Sequence, residues 1–174
     1  MLTSPLYRRR DPDVFEWGVD PYFWTYVPMT LSSFLSYSQH RLYPEVLMTP
    51  DHRPIVKVAM MGYITGVEGR KNGQSILYDL DDGTGRVVAV HWKKDAEDKP
   101  AGPSYEGVIE EEVREVPFFP RGSLVHVRGK VSFYHHVREI AIHAISLVED
   151  LNEETLWRLQ ILNRAGKCPS PGQQ

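Results

Sequence analysis

Runs of apolar residues separated by glycine-bearing turns dominate the middle of the chain, and most runs have the length of a β-strand. The apolar residues concentrate in five segments, at residues 55–67, 75–80, 87–92, 124–133 and 140–148. Val, Ile or Tyr, which suit a pleated and half-buried surface, occur in every segment. The pattern therefore predicts a mainly β chain with five principal strands.

The second and third predicted strands are joined by Asp81-Asp82-Gly83-Thr84-Gly85, which predicts a tight hairpin. Glycine supplies positive φ at no steric cost, and aspartate side chains hydrogen-bond the local backbone. Gly62 lies in the middle of the first predicted strand, where a small barrel must bend that strand so that it serves both sheets. These features together predict a five-stranded OB-fold barrel, an architecture that binds oligonucleotides on its sheet face.

Short helical segments flank the predicted barrel. Asp20 followed by Pro21 is a helix-start signal, and a second helical piece is expected at residues 31–37. We interpret this N-terminal helical segment as a lid on the barrel. Asp150 and Glu153 form a capping box for a C-terminal helix at residues 152–163. Its apolar residues nearly surround it, which indicates a partner interface at Leu156, Trp157, Leu159, Gln160 and Asn163.

The chain has 174 residues, which favours one domain with appendages. We expect a flexible arm at residues 1–14, the barrel domain with its flanking helices at 15–163, and a flexible tail at 164–174. A charged insertion at 93–120 separates the third and fourth strands, and a part near 108–116 is expected to be helical. Cys168 is the single cysteine, so no internal disulfide forms, which fits a reducing compartment.

No pattern for catalysis or metal binding stands out, so neither an enzyme nor a cofactor or metal site is expected. The sequence has no Cys-x-x-Cys, no His-x-x-x-His and no Gly-x-Ser-x-Gly. His135 and His136 are adjacent, so on a strand they would point to opposite faces. No run of eighteen apolar residues occurs, and no membrane association is expected.

Aromatic residues beside basic ones form the strongest candidate site, because bases stack on aromatic rings while Lys and Arg neutralise phosphates. The net charge of −3 argues against a strongly basic DNA binder, but it leaves single-strand binding open. The residues alone also leave open that the aromatic rings cover core edges and that the lysines are merely solvated. The candidate nucleic-acid-binding residues are Lys71, Trp92, Lys93, Lys94, Lys130, Ser132, Tyr134 and Arg138.

Several short motifs follow one another in a specific order: WGVDP at 17–21, VAMMGYITGV at 58–67, YDLDDGTG at 78–85, WKK at 92–94, VRGKV at 127–131 and REI at 138–140. This ordered set resembles the N-terminal OB domain of the Stn subunit of the CST complex. CST is a telomere-associated trimer related to replication protein A. The resemblance covers about residues 15–163.

The resemblance implies a nuclear protein at the chromosome telomere that binds single-stranded telomeric DNA. It implies a heterodimer with the small Ten OB subunit, formed partly through the C-terminal helix, and contact with the largest CST subunit. It also implies end protection and support of fill-in by DNA polymerase alpha–primase. A tryptophan after strand three and a tyrosine after strand four contribute to binding in the family, and Trp92 and Tyr134 match them. Members carry C-terminal winged-helix domains, so the chain is expected to be a fragment or an unusual member.

Two other functions remain open from the sequence. The chain could be a protein-interaction OB module with little DNA binding of its own, which the acidic net charge favours. It could also be the middle subunit of general replication protein A, although an aromatic segment stands where that subunit has a Gly/Ser-rich N-terminus. An anticodon-binding domain of a tRNA synthetase is a more remote alternative.

Overall fold

The computed structural model of the protein describes residues 14–69, 74–92 and 118–165. A 3-10 helix occupies Val14–Val19, and the α-helices are α1 (Pro21–Trp24), α2 (Leu31–Ser36) and α3 (Asn152–Ala165). Four two-residue strands come first: β1 (Val27–Pro28), β2 (Ser38–Gln39), β3 (Leu47–Met48) and β4 (Pro54–Ile55). The long strands are β5 (Lys57–Gly69), β6 (Ser75–Asp81), β7 (Arg86–Trp92), β8 (Leu124–Tyr134) and β9 (Val137–Leu147).

The five long strands close into a barrel, which confirms the predicted architecture. Their order is β5–β6–β7–β9–β8, and a further pairing of β5 with β8 completes the cylinder. The β7–β9 pairing is parallel, whereas the other four pairings are antiparallel. The short β1 pairs in parallel with the first residues of β5. The strands β2, β3 and β4 form a separate small sheet.

Barrel closure depends on β5, which pairs with a different neighbour along each half of its length. Residues 57–63 pair with β8, and from Tyr63 onward the strand pairs with β6. Gly62 lies beside this change of partner, as the sequence predicts. A Cβ added to Gly62 would come within 3.1 Å of the carbonyl oxygen of Asp81, so a side chain here would crowd the strand that β5 is about to join.

The helix α2 closes one end of the barrel and confirms the predicted lid. Leu31 and Phe34 are essentially fully buried and belong to the same core cluster as the barrel residues Tyr78, Leu80 and Val125. Burying large apolar side chains of this size contributes roughly 1.5–3 kcal/mol each. The N-terminal segment is therefore a part of the core.

The Asp82–Gly85 turn binds the start of α2, a role that the sequence analysis missed. The Asp82 carboxylate accepts hydrogen bonds from the backbone N–H of Leu31 at 2.8 Å and of Thr84 at 2.8 Å. Thr84 Oγ1 accepts from Ser32 N–H at 3.0 Å, and Thr30 Oγ1 caps the helix by accepting from Ser33 N–H at 3.2 Å. The first N–H groups of a helix lack partners within the helix. Here the hairpin supplies acceptors for two of these groups, those of Leu31 and Ser32.

The Trp17–Pro21 motif organises a second small cluster next to the barrel. Asp20 caps α1 by accepting from Tyr22 N–H at 2.8 Å, and it also binds the Arg53 guanidinium through two hydrogen bonds at 2.7 and 2.9 Å. The Arg53 hydrogen bond is the main cause that lowers the pKa of Asp20, against the opposing effect of burial. Trp17 is buried against Val46 and Met48, so the motif fixes the path by which the chain enters the barrel.

The β8–β9 connection differs from the prediction. The fifth predicted strand was expected to begin at residue 140, but β9 already begins at Val137. The turn is formed by His135 and His136, both at positive φ (47° and 64°), so they do not lie on a strand. Two consecutive residues at positive φ are the requirement of a type I′ hairpin turn, which matches the twist of the flanking strands.

Several predictions fall on residues outside the described ranges. They concern most of the arm at 1–14, most of the insertion at 93–120, and most of the tail at 164–174, including Cys168. The insertion does lie between the third and fourth barrel strands, since β7 ends at Trp92 and β8 begins at Leu124.

We expect Asp82→Ala to lower the free energy of unfolding by about 1–3 kcal/mol, because it leaves the N–H groups of Leu31 and Thr84 without their acceptor. Urea denaturation followed by tryptophan fluorescence measures the change. Asp79→Ala, an exposed aspartate on the same hairpin, is the matched control and should shift stability by less than about 0.5 kcal/mol. Equal effects of the two substitutions would contradict the capping role.

Candidate nucleic-acid interface

Three predicted site residues on β8 share the outer face of the barrel, as their spacing predicts. Lys130 and Tyr134 are exposed and Ser132 is partly buried, whereas Val131 between them faces the core. Ser132 Oγ donates to Glu139 Oε1 on β9 at 3.5 Å, and Glu139 is only 7% exposed. Ser132 is therefore turned toward a carboxylate.

Trp92 lies at the end of β7, opposite Ser75, and 53% of its surface is exposed. Two residues earlier, Val90 pairs with Ala141 of β9, and Ala141 pairs in turn with Lys130. The register thus places Trp92 on the same outer face as Lys130. Trp92 is offset from Lys130 by about two residues in the direction in which β7 and β9 run.

Tyr134 lies at the other end of this face, so the two predicted stacking residues are far apart. Tyr134 pairs with Val137, and Trp92 and Tyr134 are offset by six residues along the strand direction. At roughly 3.3 Å per residue this offset is about 20 Å. One strand of nucleic acid would have to run along the sheet to contact both rings.

Arg138, a predicted phosphate contact, binds the backbone of α2 in the structure. Its guanidinium donates to the backbone carbonyl oxygens of Phe34 and of Tyr37, the latter at 2.9 Å. It also lies over the Phe34 ring, 5.5 Å from the centroid, and burial lowers its pKa. Arg138 thus holds the C-terminal end of α2, as Asp82 and Thr84 hold its start, and its predicted contact with a phosphate stays a prediction.

Lys71, Lys93 and Lys94 lie outside the described residues, so their predicted role stays a prediction. The part of the face on β6 and β7 that the structure describes carries acidic groups. Asp79 is exposed, and Asp81 is hydrogen-bonded to Arg86 at 2.7 Å. The Gly83 N–H and then Arg86 lower the pKa of Asp81.

A basic cluster that the sequence analysis missed lies next to Lys130. Lys57 of β5 is its direct partner across the strands, and His143 of β9 lies close enough for both lysines to affect it. Partial burial and then the charges of Lys130 and Lys57 lower the pKa of His143. The Tyr26 hydroxyl lies 3.0 Å from His143 Nδ1. No local sequence signal marks this cluster, because its members come from four separate segments.

The outer side of α3 carries an apolar stripe. Leu156, Leu159 and Leu162 are each more than half exposed, and Gln160 and Asn163 are also exposed. In an α-helix, residues 156, 159, 160 and 163 share one face, which is the predicted partner interface. The structure leaves these predicted interface residues open to solvent.

Trp157, also predicted to contact a partner, packs on the barrel. It contacts the buried cluster of Met61, Leu124 and Val148, and its ring meets that of His126 edge-on at 4.8 Å. Burial, and then the charge of Arg128, lower the pKa of His126. Trp157 therefore anchors α3 to the barrel, which explains why the helix has apolar residues on more than one face.

Within the described ranges, no group of three or more His, Cys, Asp or Glu side chains is placed to hold a metal ion. None of the helices in the same ranges is long and apolar enough to cross a membrane.

Comparison with known proteins agrees with this geometry. The family model described as "OB-fold nucleic acid binding domain" matches residues 58–148, which is more than half of the chain. The chain belongs to this OB-fold family. It is also similar to CST complex subunit STN1 of Macaca fascicularis, with 29% identity over 155 residues that cover 83% of this chain and 40% of the relative. The chain thus spans about two fifths of the length of that relative.

Solved structures show the same OB-fold. The Stn1–Ten1 complex of S. pombe contains a chain with a TM-score of 0.63 and 17% identity, covering 82% of this chain and 92% of that one. A replication protein A heterotrimer bound to single-stranded DNA contains a chain with a TM-score of 0.62 and 18% identity, covering 82% of this chain and 97% of that one. At these identities the likeness concerns the fold.

Proposed function

We propose that this OB-fold protein is a single-stranded-DNA-binding and scaffold subunit of a telomeric CST complex. The similarity to CST complex subunit STN1 over 83% of the chain supports the assignment to that complex. The observation that carries the DNA-binding part is Trp92, half exposed on the same outer face as Lys130. An exposed aromatic ring beside a cation is the pairing that single-strand binders use.

In this proposal the protein binds the telomeric single strand weakly by itself and functions within an assembly in the nucleus, without catalysing a reaction. The small Ten OB subunit docks on the outer stripe of α3, and the largest CST subunit completes the trimer. The trimer protects chromosome ends and supports fill-in by DNA polymerase alpha–primase. The exposed leucines of α3 and the Stn1–Ten1 fold neighbour support the Ten-type partner.

A protein-interaction module with little DNA binding is the second candidate. Two observations favour it: Asp79 is exposed on the outer face of β6, and Ser132 is turned toward the Glu139 carboxylate. The Asp79 carboxylate would repel a phosphate backbone, and the Ser132 hydroxyl is already hydrogen-bonded to Glu139. A middle subunit of general replication protein A is the third candidate, and the likeness of the fold to that heterotrimer is as close as to the Stn1–Ten1 complex.

Trp92→Ala and Tyr134→Ala test the DNA face. If each ring stacks on one base, each substitution should weaken binding of a G-rich single strand by roughly 1–3 kcal/mol, which is about 5- to 150-fold. Fluorescence anisotropy at low salt measures the affinity. Tyr63→Ala is the matched control, because Tyr63 is 40% exposed against 48% for Tyr134 and lies at the opposite end of the barrel strands. Unchanged affinity in both variants would remove the DNA-face proposal and favour the protein-interaction module.

Leu156→Glu combined with Leu159→Glu tests the partner interface. Charges on a stripe that is buried on association should weaken heterodimer formation by at least about 30-fold, or roughly 2 kcal/mol, while the exposed positions leave the fold intact. Analytical ultracentrifugation with a small Ten-type OB subunit measures association. Leu42→Glu, an exposed leucine in the N-terminal segment, should have no effect. Heterodimers that persist in the double variant would place the interface elsewhere.

A further inference from the structure

Lys57 and Lys130 form a like-charged pair at the junction of β5 and β8. Their Cα atoms are direct partners in the antiparallel register, which puts Cβ atoms about 4.5–5.5 Å apart. Like charges placed directly opposite each other destabilise a sheet. Among the residues that the structure describes, neither lysine forms an ion pair with a carboxylate. An anion between the two ammonium groups would relieve this repulsion.

Tyr26 and His143 add hydrogen-bond donors to the same place. Tyr26 Oη lies 3.0 Å from His143 Nδ1, and the Lys57 ammonium lies 5.8 Å from the Tyr26 ring centroid. If the hydroxyl donates to Nδ1, Nε2 of the neutral ring carries a proton for another acceptor. If Nδ1 donates instead, the hydroxyl proton is free. Either arrangement therefore leaves one donor available to a ligand.

Exposed tryptophans flank the cluster. Trp24 is 60% exposed, its indole N–H donates to the Gly18 carbonyl oxygen at 2.9 Å, and its own carbonyl oxygen accepts from Lys57 Nζ at 3.5 Å. Trp92 lies on the other flank, since it is two residues beyond Val90, which is level with Lys130 in the register. One exposed tryptophan thus lies in the chain on the β5 side of the lysine pair, and another lies on β7, beyond β9 on the other side.

We propose that Lys57, Lys130, His143 and Tyr26 form a binding subsite for a backbone phosphate of single-stranded nucleic acid, with the neighbouring bases placed toward Trp24 and Trp92. The proposal rests on the proposed DNA-binding function and adds Lys57, His143 and Tyr26 to Lys130 of the predicted site. A phosphodiester fits because it is a compact anion with several acceptor oxygens, and the flanking rings suit the bases attached to it. The subsite also accounts for how a chain of net charge −3 attracts a polyanion locally.

The test is the salt dependence of binding by the full chain. The probes are a thymidine oligonucleotide and an abasic deoxyribose–phosphate oligomer of the same length. Each phosphate neutralised on a single strand contributes about 0.7 to the slope of log affinity against log salt. Lys57→Gln combined with Lys130→Gln should make this negative slope shallower by at least that amount for both probes. Arg41→Gln combined with Arg121→Gln removes the same charge at exposed positions elsewhere and should leave the slope unchanged.

The outcomes separate this subsite from the proposed function. If Trp92→Ala weakens thymidine binding but the double lysine variant keeps the wild-type slope, or matches the arginine control, the subsite is wrong and base stacking stands. If the lysine variant lowers the slope while Trp92→Ala changes nothing, the subsite stands and the stacking face is wrong. If the wild-type chain binds neither probe at low salt, that result contradicts both the phosphate subsite and the proposed DNA-binding function. The lysine variant should fold at least as stably as wild type, because it removes a repulsion, and thermal unfolding checks this.

Discussion

Closure of the barrel by β5 is the constraint on which the remaining structure depends. One half of this strand pairs with β8 and the other half with β6, and the change of partner occurs at Tyr63, beside Gly62. Only because the first half meets β8 does Lys57 lie opposite Lys130. Only because the second half meets β6 does the Asp82 turn reach α2. The candidate interface and the lid are therefore two consequences of one strand pairing.

The protein uses one end and the outside of the barrel for different purposes. At one end, the β6–β7 turn and Arg138 hold opposite termini of α2, so the large side chains Leu31 and Phe34 fill the core. On the outer surface, Trp157 fixes α3 against the barrel and leaves the leucine stripe exposed. The candidate binding surfaces thus lie on the outside of a barrel whose core is filled by other side chains.

Features that are encoded locally could be predicted from the sequence. The strands, the Asp81–Gly85 hairpin and the Asp20 cap each depend on a few neighbouring residues, and the structure has each of them, although β9 begins at Val137 and not at residue 140. Roles that depend on register could not be predicted. Arg138 looked like a free surface cation, yet the fold brings the carbonyl oxygens of α2 to it. Lys57, Tyr26 and His143 are scattered along the chain, and only the β5–β8–β9 alignment brings them together.

Cross-strand NMR contacts test the central claim, closure of the barrel through both halves of β5, most directly. In one sample of the folded protein, the account predicts backbone NOEs between Lys57 and Lys130, between Met61 and His126, and also between Tyr63 and Asp81. Detection of all three would show that β5 joins β8 and β6 in the same molecule. NOEs to only one of these neighbours would mean an open sheet, and that result would contradict both the closed barrel and the lysine pair that depends on it.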